Sequence, residues 1–168
     1  MDTGWVDDRT AMSTIHSKEV GFTLEQEVTF RMSHIGICVS NLDLSMKFYC
    51  NGLGFEEAGR YQAGREADSA LDLQDVDLTG VFLNRDGVTI ELLYYSSPLA
   101  KGSAARRPMN QLGLTHLNLE VDDVDAVKQR ITEFGGHEYE NTRLLGDGYE
   151  VIFCADPDGT RVELARYF

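Results

Sequence analysis

Two histidines and two glutamates stand at matching places in two halves of the chain. His34 lies in SHIGICVSNLD and His116 in LTHLNLEVDD. Val39, Asn41, Asp43 and Gly54 follow His34 at the offsets at which Val121, Asp123, Asp125 and Gly136 follow His116. Glu91 comes after Asp86-Gly87 in DGVTIEL, and Glu163 comes after Asp158-Gly159 at the same spacing in DGTRVEL. Two imidazoles and two carboxylates, with no thiolate among them, suit a borderline divalent ion: Zn, Ni, Co, Mn or Fe(II). Four such ligands plus one or two waters make a site open to substrate. Taken singly, a strand histidine is more often structural and a strand glutamate more often faces solvent. The duplicated spacing favours one shared centre over four separate accidents.

For these residues to meet, the chain around them must form strands on one curved sheet. Leu114, His116, Asn118 and Glu120 alternate with Thr115, Leu117, Leu119 and Val121, the period of a half-buried strand with a central histidine. His34, Gly36 and Cys38 alternate in the same way with Ile35, Ile37 and Val39. After the first strand, Asn41 or Asp43 can cap a helix running to about Tyr49, with Leu44, Phe48 and Leu42 as its apolar face. Phe55–Tyr61 reads as the next strand and 62–76 as a loop with a short strand. Leu78–Asn84 and Val88–Tyr95 flank Arg85-Asp86-Gly87, a hairpin turn. In the second half, a helix from about Asp123 to Phe134 presents Val124, Val127 and Ile131 on one face and stops at Gly135-Gly136. Strands near Glu150–Cys154 and Arg161–Tyr167 are joined across Asp156-Pro-Asp-Gly159. By parity, Glu163 faces the cup if Val162 and Leu164 face the core, and Asn118, Cys38 and Tyr95 face it as well.

The organisation expected is an extension over 1–31 and one domain over 32–168. Within that domain, module one spans 32–96, a linker 97–112 and module two 113–168. The 168 residues suffice for a single domain with a sizeable core. The net charge of −13 argues against nucleic-acid binding, which needs a basic face. Lys101, Arg106 and Arg107 in the linker break this acidic field. They read first as a solvated linker and second as a clamp for substrate carboxylates or CoA phosphates. Cys38, Cys50 and Cys154 lack metal-type spacing and read as reduced thiols of a cytoplasmic protein. No stretch has the length and apolarity of a membrane span, so no membrane is expected as a partner.

HIGICVSNLDLSMKFYCNGLGFE, GVTIELL, LTHLNLEVDDVDAV and DPDGTRVEL together resemble the vicinal oxygen chelate superfamily. Glyoxalase I, methylmalonyl-CoA epimerase, extradiol dioxygenases and bleomycin-resistance proteins belong to it. The resemblance implies an α+β fold of two tandem βαβββ modules forming a cupped mixed sheet around a divalent metal. It further implies His34, Glu91, His116 and Glu163 as metal ligands, with Glu163 as the first candidate base and Glu91 as its counterpart. The reaction implied is proton transfer alpha to a carbonyl through a metal-bound enediolate, as in lactoylglutathione lyase. The DPDGTRVEL ending is closer to the glyoxalase type. The alternatives, in order, are a CoA-thioester epimerase, an extradiol-type dioxygenase and a non-enzymatic small-molecule binding or resistance protein. The expected partner is a small molecule, a thiol conjugate or CoA thioester, and the expected assembly is a homodimer.

Overall fold

The alternating stretches form strands, and the two halves repeat one order of elements, in a computed structural model that describes residues 29–168. The expected extension over 1–31 falls almost entirely outside the described residues. Module one begins with β1 (Ile35–Val39), α1 (Leu42–Met46) and β2 (Glu56–Ala63). It continues through a short α2 (Asp68–Leu71) to β3 (Asp77–Arg85) and β4 (Val88–Ser97). Module two contains β5 (Leu117–Glu120), α3 (Val124–Glu133), β6 (His137–Glu138), β7 (Leu144–Gly146), β8 (Tyr149–Ala155) and β9 (Arg161–Tyr167).

The first sheet has the order β1-β4-β3-β2 and the second β5-β9-β8-β6, with β7 also paired to β8. In each, the first strand runs parallel to the last, so β1 lies beside β4 and β5 beside β9. The remaining pairs are antiparallel. These are two mixed sheets of like topology, the α+β arrangement of paired βαβββ modules. Residues Ser33–Phe168 form one compact unit. Among the described residues no helix is long and apolar enough to cross a membrane.

One apolar core serves both modules. Phe48, Tyr49, Val81 and Leu92 of module one are fully buried in the same cluster as Ile131, Ile152, Val162 and Leu164 of module two. Asn41 caps α1 by accepting the Leu44 amide, and Asp123 caps α3 by accepting the Ala126 amide. Here the repeat is exact in its mechanics: each side-chain oxygen satisfies an amide that the first helical turn leaves without a partner. Past Met46 the first helix widens into a π-helical turn, Lys47–Gly52. Phe48 and Tyr49 in that turn are both buried, whereas Leu44 in α1 is exposed and so is not part of the apolar face as expected. At the end of α3, Gly136 allows a close approach. A Cβ there would lie 2.5 Å from both the Ala155 carbonyl oxygen and the Phe48 ring.

Two expectations need correction. His34 and His116 each stand immediately before their strands, because β5 covers only Leu117–Glu120 and β1 starts at Ile35. Residues 62–76 contain a 3₁₀ turn at Arg65–Ala67 and α2 in place of a short strand, apart from the end of β2. Asp68 organises that turn by accepting the amides of Asp75 and Val76. The linker keeps the solvent exposure expected of it over residues 99–112, while Arg161 donates to the Arg107 carbonyl and the Ala104 backbone lies over Gly159.

Candidate active site

In each module the strand order places the histidine beside the glutamate of the last strand. Parallel pairing sets Gly36 against Glu91 and Asn118 against Glu163. The histidine two residues upstream then lies on the same face as its glutamate. His34 Nε2 is 3.2 Å from Glu91 Oε2, and His116 Nε2 is 2.7 Å from Glu163 Oε2. The other ring nitrogen is engaged identically in both halves. Ser33 Oγ lies 3.1 Å from His34 Nδ1, and Thr115 Oγ1 lies 2.9 Å from His116 Nδ1. A hydroxyl on Nδ1 fixes the ring and leaves Nε2 aimed at the carboxylate, the orientation that a ligating imidazole requires.

A phenylalanine completes each pair. The antiparallel register sets Phe82 opposite Glu91 and Phe153 opposite Glu163. Phe82 packs edge-on against His34 at 5.3 Å between ring centres, and Phe153 against His116 at 5.8 Å. These aromatic walls are not singled out by residue type. Counting back from the Asp86-Gly87 hairpin turn would have placed Phe82 beside Glu91.

The two halves differ at the carboxylate. Tyr61 donates its hydroxyl to Glu91 Oε1 at 2.8 Å. Its ring lies flat over β3 because Gly80 offers no side chain; a Cβ there would be 2.2 Å from the ring. Burial, then the Glu91 hydrogen bond and charge, push the Tyr61 phenol up to about 12, so it remains a donor at neutral pH. Among the described residues Glu163 has no hydrogen-bonding partner besides His116. Val162 and Leu164 are fully buried, which places Glu163 on the opposite face. Cys38 is exposed at the site's edge, and its thiol is raised by burial and by the Asp158 charge. Tyr95 is raised by burial and by nearby Cys38 and Glu91, which places it on the same side.

The donor types of His34, Glu91, His116 and Glu163 fit a divalent ion, and within each pair one imidazole nitrogen faces one carboxylate oxygen. The structure supplies these as two half-sites. Among the described residues no three His, Cys, Asp or Glu side chains gather closely enough to hold an ion. His116 sits where two cavities meet. A cleft of about 1090 Å³ runs between β5 and the turn joining β3 to β4. A smaller cavity of about 310 Å³ lies between β1, the linker and the start of β9.

Comparison with known proteins agrees with this fold. The family model described as Glyoxalase/Bleomycin resistance protein/Dioxygenase superfamily matches residues 31–164. The chain is 30% identical to uncharacterized protein YaeR of Escherichia coli, over 80% of this chain and 94% of YaeR. It is also 30% identical to an ethylmalonyl-CoA/methylmalonyl-CoA epimerase of Cereibacter sphaeroides, over 70% of this chain and 76% of that protein. A glyoxalase family protein from Bacillus cereus shares the fold, with a TM-score of 0.73 at 21% identity over 86% of this chain and 99% of that one.

Proposed function

Given that the chain belongs to the Glyoxalase/Bleomycin resistance protein/Dioxygenase superfamily, we propose that it is a divalent-metal-dependent isomerase or lyase. It moves a proton on a carbon next to a carbonyl. The observation that carries this reading is the duplicated unit of histidine, glutamate and phenylalanine, with Nε2 and Oε2 facing each other in both copies. In this reading His34, Glu91, His116 and Glu163 hold the ion, and the two half-sites face a single substrate. A bound divalent ion supplies a Lewis acid that polarises the carbonyl and eases loss of the adjacent proton. Glu163 takes the proton, because among the described residues its carboxylate has no donor except its own histidine. Glu91, oriented by the Tyr61 hydroxyl, acts as ligand and as the counterpart on the other wall. Phe82 and Phe153 screen the carboxylates from water, which strengthens their interaction with a developing charge.

Two substrates fit this half-reaction: a hemithioacetal of the lactoylglutathione lyase type and a 2-substituted malonyl-CoA thioester. The similarity to an epimerase acting on ethylmalonyl-CoA and methylmalonyl-CoA supports the second. The DPDGTRVEL ending supports the first. Three unpaired cysteines agree with a cytoplasmic location, and an isologous dimer belongs to the same reading.

The test is solvent-deuterium exchange into the α-position, followed by NMR. The metal-loaded protein is given methylmalonyl-CoA in one arm and the methylglyoxal–glutathione hemithioacetal in the other. Exchange with one of them, absent after chelation, is expected. A metal-loaded chain that exchanges neither proton does not have this function.

A further inference from the structure

The two half-sites match in histidine, hydroxyl and phenylalanine and part at one carboxylate oxygen. Glu91 is buried and both its oxygens are engaged. Oε2 lies 3.2 Å from His34 Nε2, and Oε1 accepts from the Tyr61 hydroxyl at 2.8 Å. Glu163 is half-buried, with Oε2 2.7 Å from His116 Nε2, and among the described residues its Oε1 accepts from nothing.

Strand register builds this difference into the chain. Tyr61 pairs with Gly80, two residues before Phe82. The corresponding pair in module two is Leu144 with Val151, two residues before Phe153. Gly80 leaves room for a ring laid over β3, where a Cβ would come within 2.2 Å of it. Phe82 flanks that ring at 5.8 Å between ring centres. The Tyr61 hydroxyl is thereby delivered to Glu91, and it has no other acceptor among the described residues. In module two, Leu144 has no hydroxyl to offer, and Val151 carries the side chain that Gly80 lacks.

We propose that Tyr61 is a positioning residue that restricts Glu91 to one-oxygen ligation of a divalent ion, through Oε2. This rests on the metal-dependent reading above and deepens it by dividing the work of the two glutamates. A carboxylate can bind an ion through one oxygen or through both. Turning Oε1 onto an ion held by Oε2 and His34 would take it from the phenol. That bond runs to an ionised acceptor, among the stronger kinds, and the phenol would lose its acceptor inside a half-buried site. One-oxygen ligation by Glu91 keeps a place at the ion for substrate. Glu163, without such a clamp, is left to move.

The experiment loads the full-length protein with Mn(II) and measures affinity together with the relaxation of solvent water per bound ion. The parent should bind Mn(II). Tyr61→Phe should bind it within about tenfold of the parent, at the mild end of what losing an outer partner costs, because the freed oxygen joins the ion. Its bound Mn(II) should relax water less, since that oxygen takes a place open to solvent in the parent. Gly80→Ala, which displaces the same ring, should show the same loss and decides the matter if Tyr61→Phe fails to fold. Leu144→Ala should relax water as the parent does. Weaker binding with unchanged relaxation per ion is what a merely orienting hydroxyl would give, and it overturns the proposal. An equal loss of relaxation in Leu144→Ala overturns it too, because the effect would not come from the phenol. Either result leaves the proton-transfer function standing. The expected relaxation pattern in a protein that exchanges no substrate α-proton keeps the role of Tyr61 and removes that function. A parent that binds no Mn(II), Co(II) or Zn(II) removes both.

Discussion

At the scale of single residues, the two glutamates are chemically alike and differently placed, and the difference predicts different phenotypes. Glu163→Gln keeps the volume and a ligating carbonyl oxygen but removes the basic carboxylate. It should retain most bound metal while kcat falls on the order of a hundredfold or more. Metal analysis and turnover of the same preparation check this; near-normal turnover would leave Glu163 a ligand only. His116→Ala and His34→Ala should each lower metal per chain sharply, and loading unchanged in either would remove that histidine from the centre. On the other wall, Gly80→Ala places a methyl inside the Tyr61 ring. The ring must swing away and release Glu91, which should cost about 1–3 kcal/mol in denaturant unfolding. Tyr61→Phe keeps the ring and loses only the hydroxyl, so it should cost about 1 kcal/mol. A Gly80→Ala protein as stable as the parent would mean that the Tyr61 ring does not pack over Gly80. The four donors are legible in the sequence because their types are rare and their spacing is duplicated. Tyr61, Phe82, Phe153 and Arg161 are not, because ordinary residue types acquire their roles only through strand register.

At the scale of elements, legibility follows the range of the forces involved. Both helix starts are visible because capping is local: an Asn or Asp side chain reaches an amide three residues on. Asp123→Ala should therefore destabilise by about 1 kcal/mol, readable as a lower Tm with unchanged circular dichroism of the folded state. No shift in Tm would mean that solvent satisfies the Ala126 amide equally well. The Asp86-Gly87 turn is visible for the same reason, with both residues in the left-handed region at φ 50° and 79°. The π-helical turn is not, since it arises from burying Phe48 and Tyr49 against module two. β6 and β7 also escape notice. They are two and three residues long and owe their existence to β8, which is in place only after the module has folded. The linker's docking depends on Arg161, more than fifty positions away from its first residues in sequence, and composition carries no trace of such a contact.

At the scale of the whole molecule, the modules are joined through a buried carboxylate. Tyr49 of the π-helical turn donates to Asp156 Oδ2 at 2.8 Å, while Asp156 Oδ1 accepts the amides of Asp158 and Thr160. Asp156 thus shapes the turn that leads into Arg161 and Glu163 and ties it to the opposite module. Arg130 reinforces the seam by donating to the carbonyls of Asn51 and Gly52. Burial raises the Asp156 carboxyl above its ordinary value of 3.8, although its hydrogen bonds pull it back. A carboxyl raised on folding binds its proton more tightly in the native state than in the unfolded one. Its contribution to stability is therefore greatest below the ordinary carboxylate range, declines as pH rises through the folded-state value, and is constant above it. Asp156→Asn removes this titration and keeps the contacts, since the amide oxygen accepts both backbone N–H groups and the amide nitrogen donates to the Tyr49 oxygen. Urea unfolding of the two proteins between pH 4 and 7 should show the Asn variant gaining on the parent as pH rises. Asp156→Ala, which orphans two amides and a phenol, should be less stable than the Asn variant by about 3 kcal/mol at every pH. A difference between parent and Asn variant that stays flat with pH would show that Asp156 titrates alike in the folded and unfolded chains. The seam would then be held by hydrogen bonds indifferent to charge.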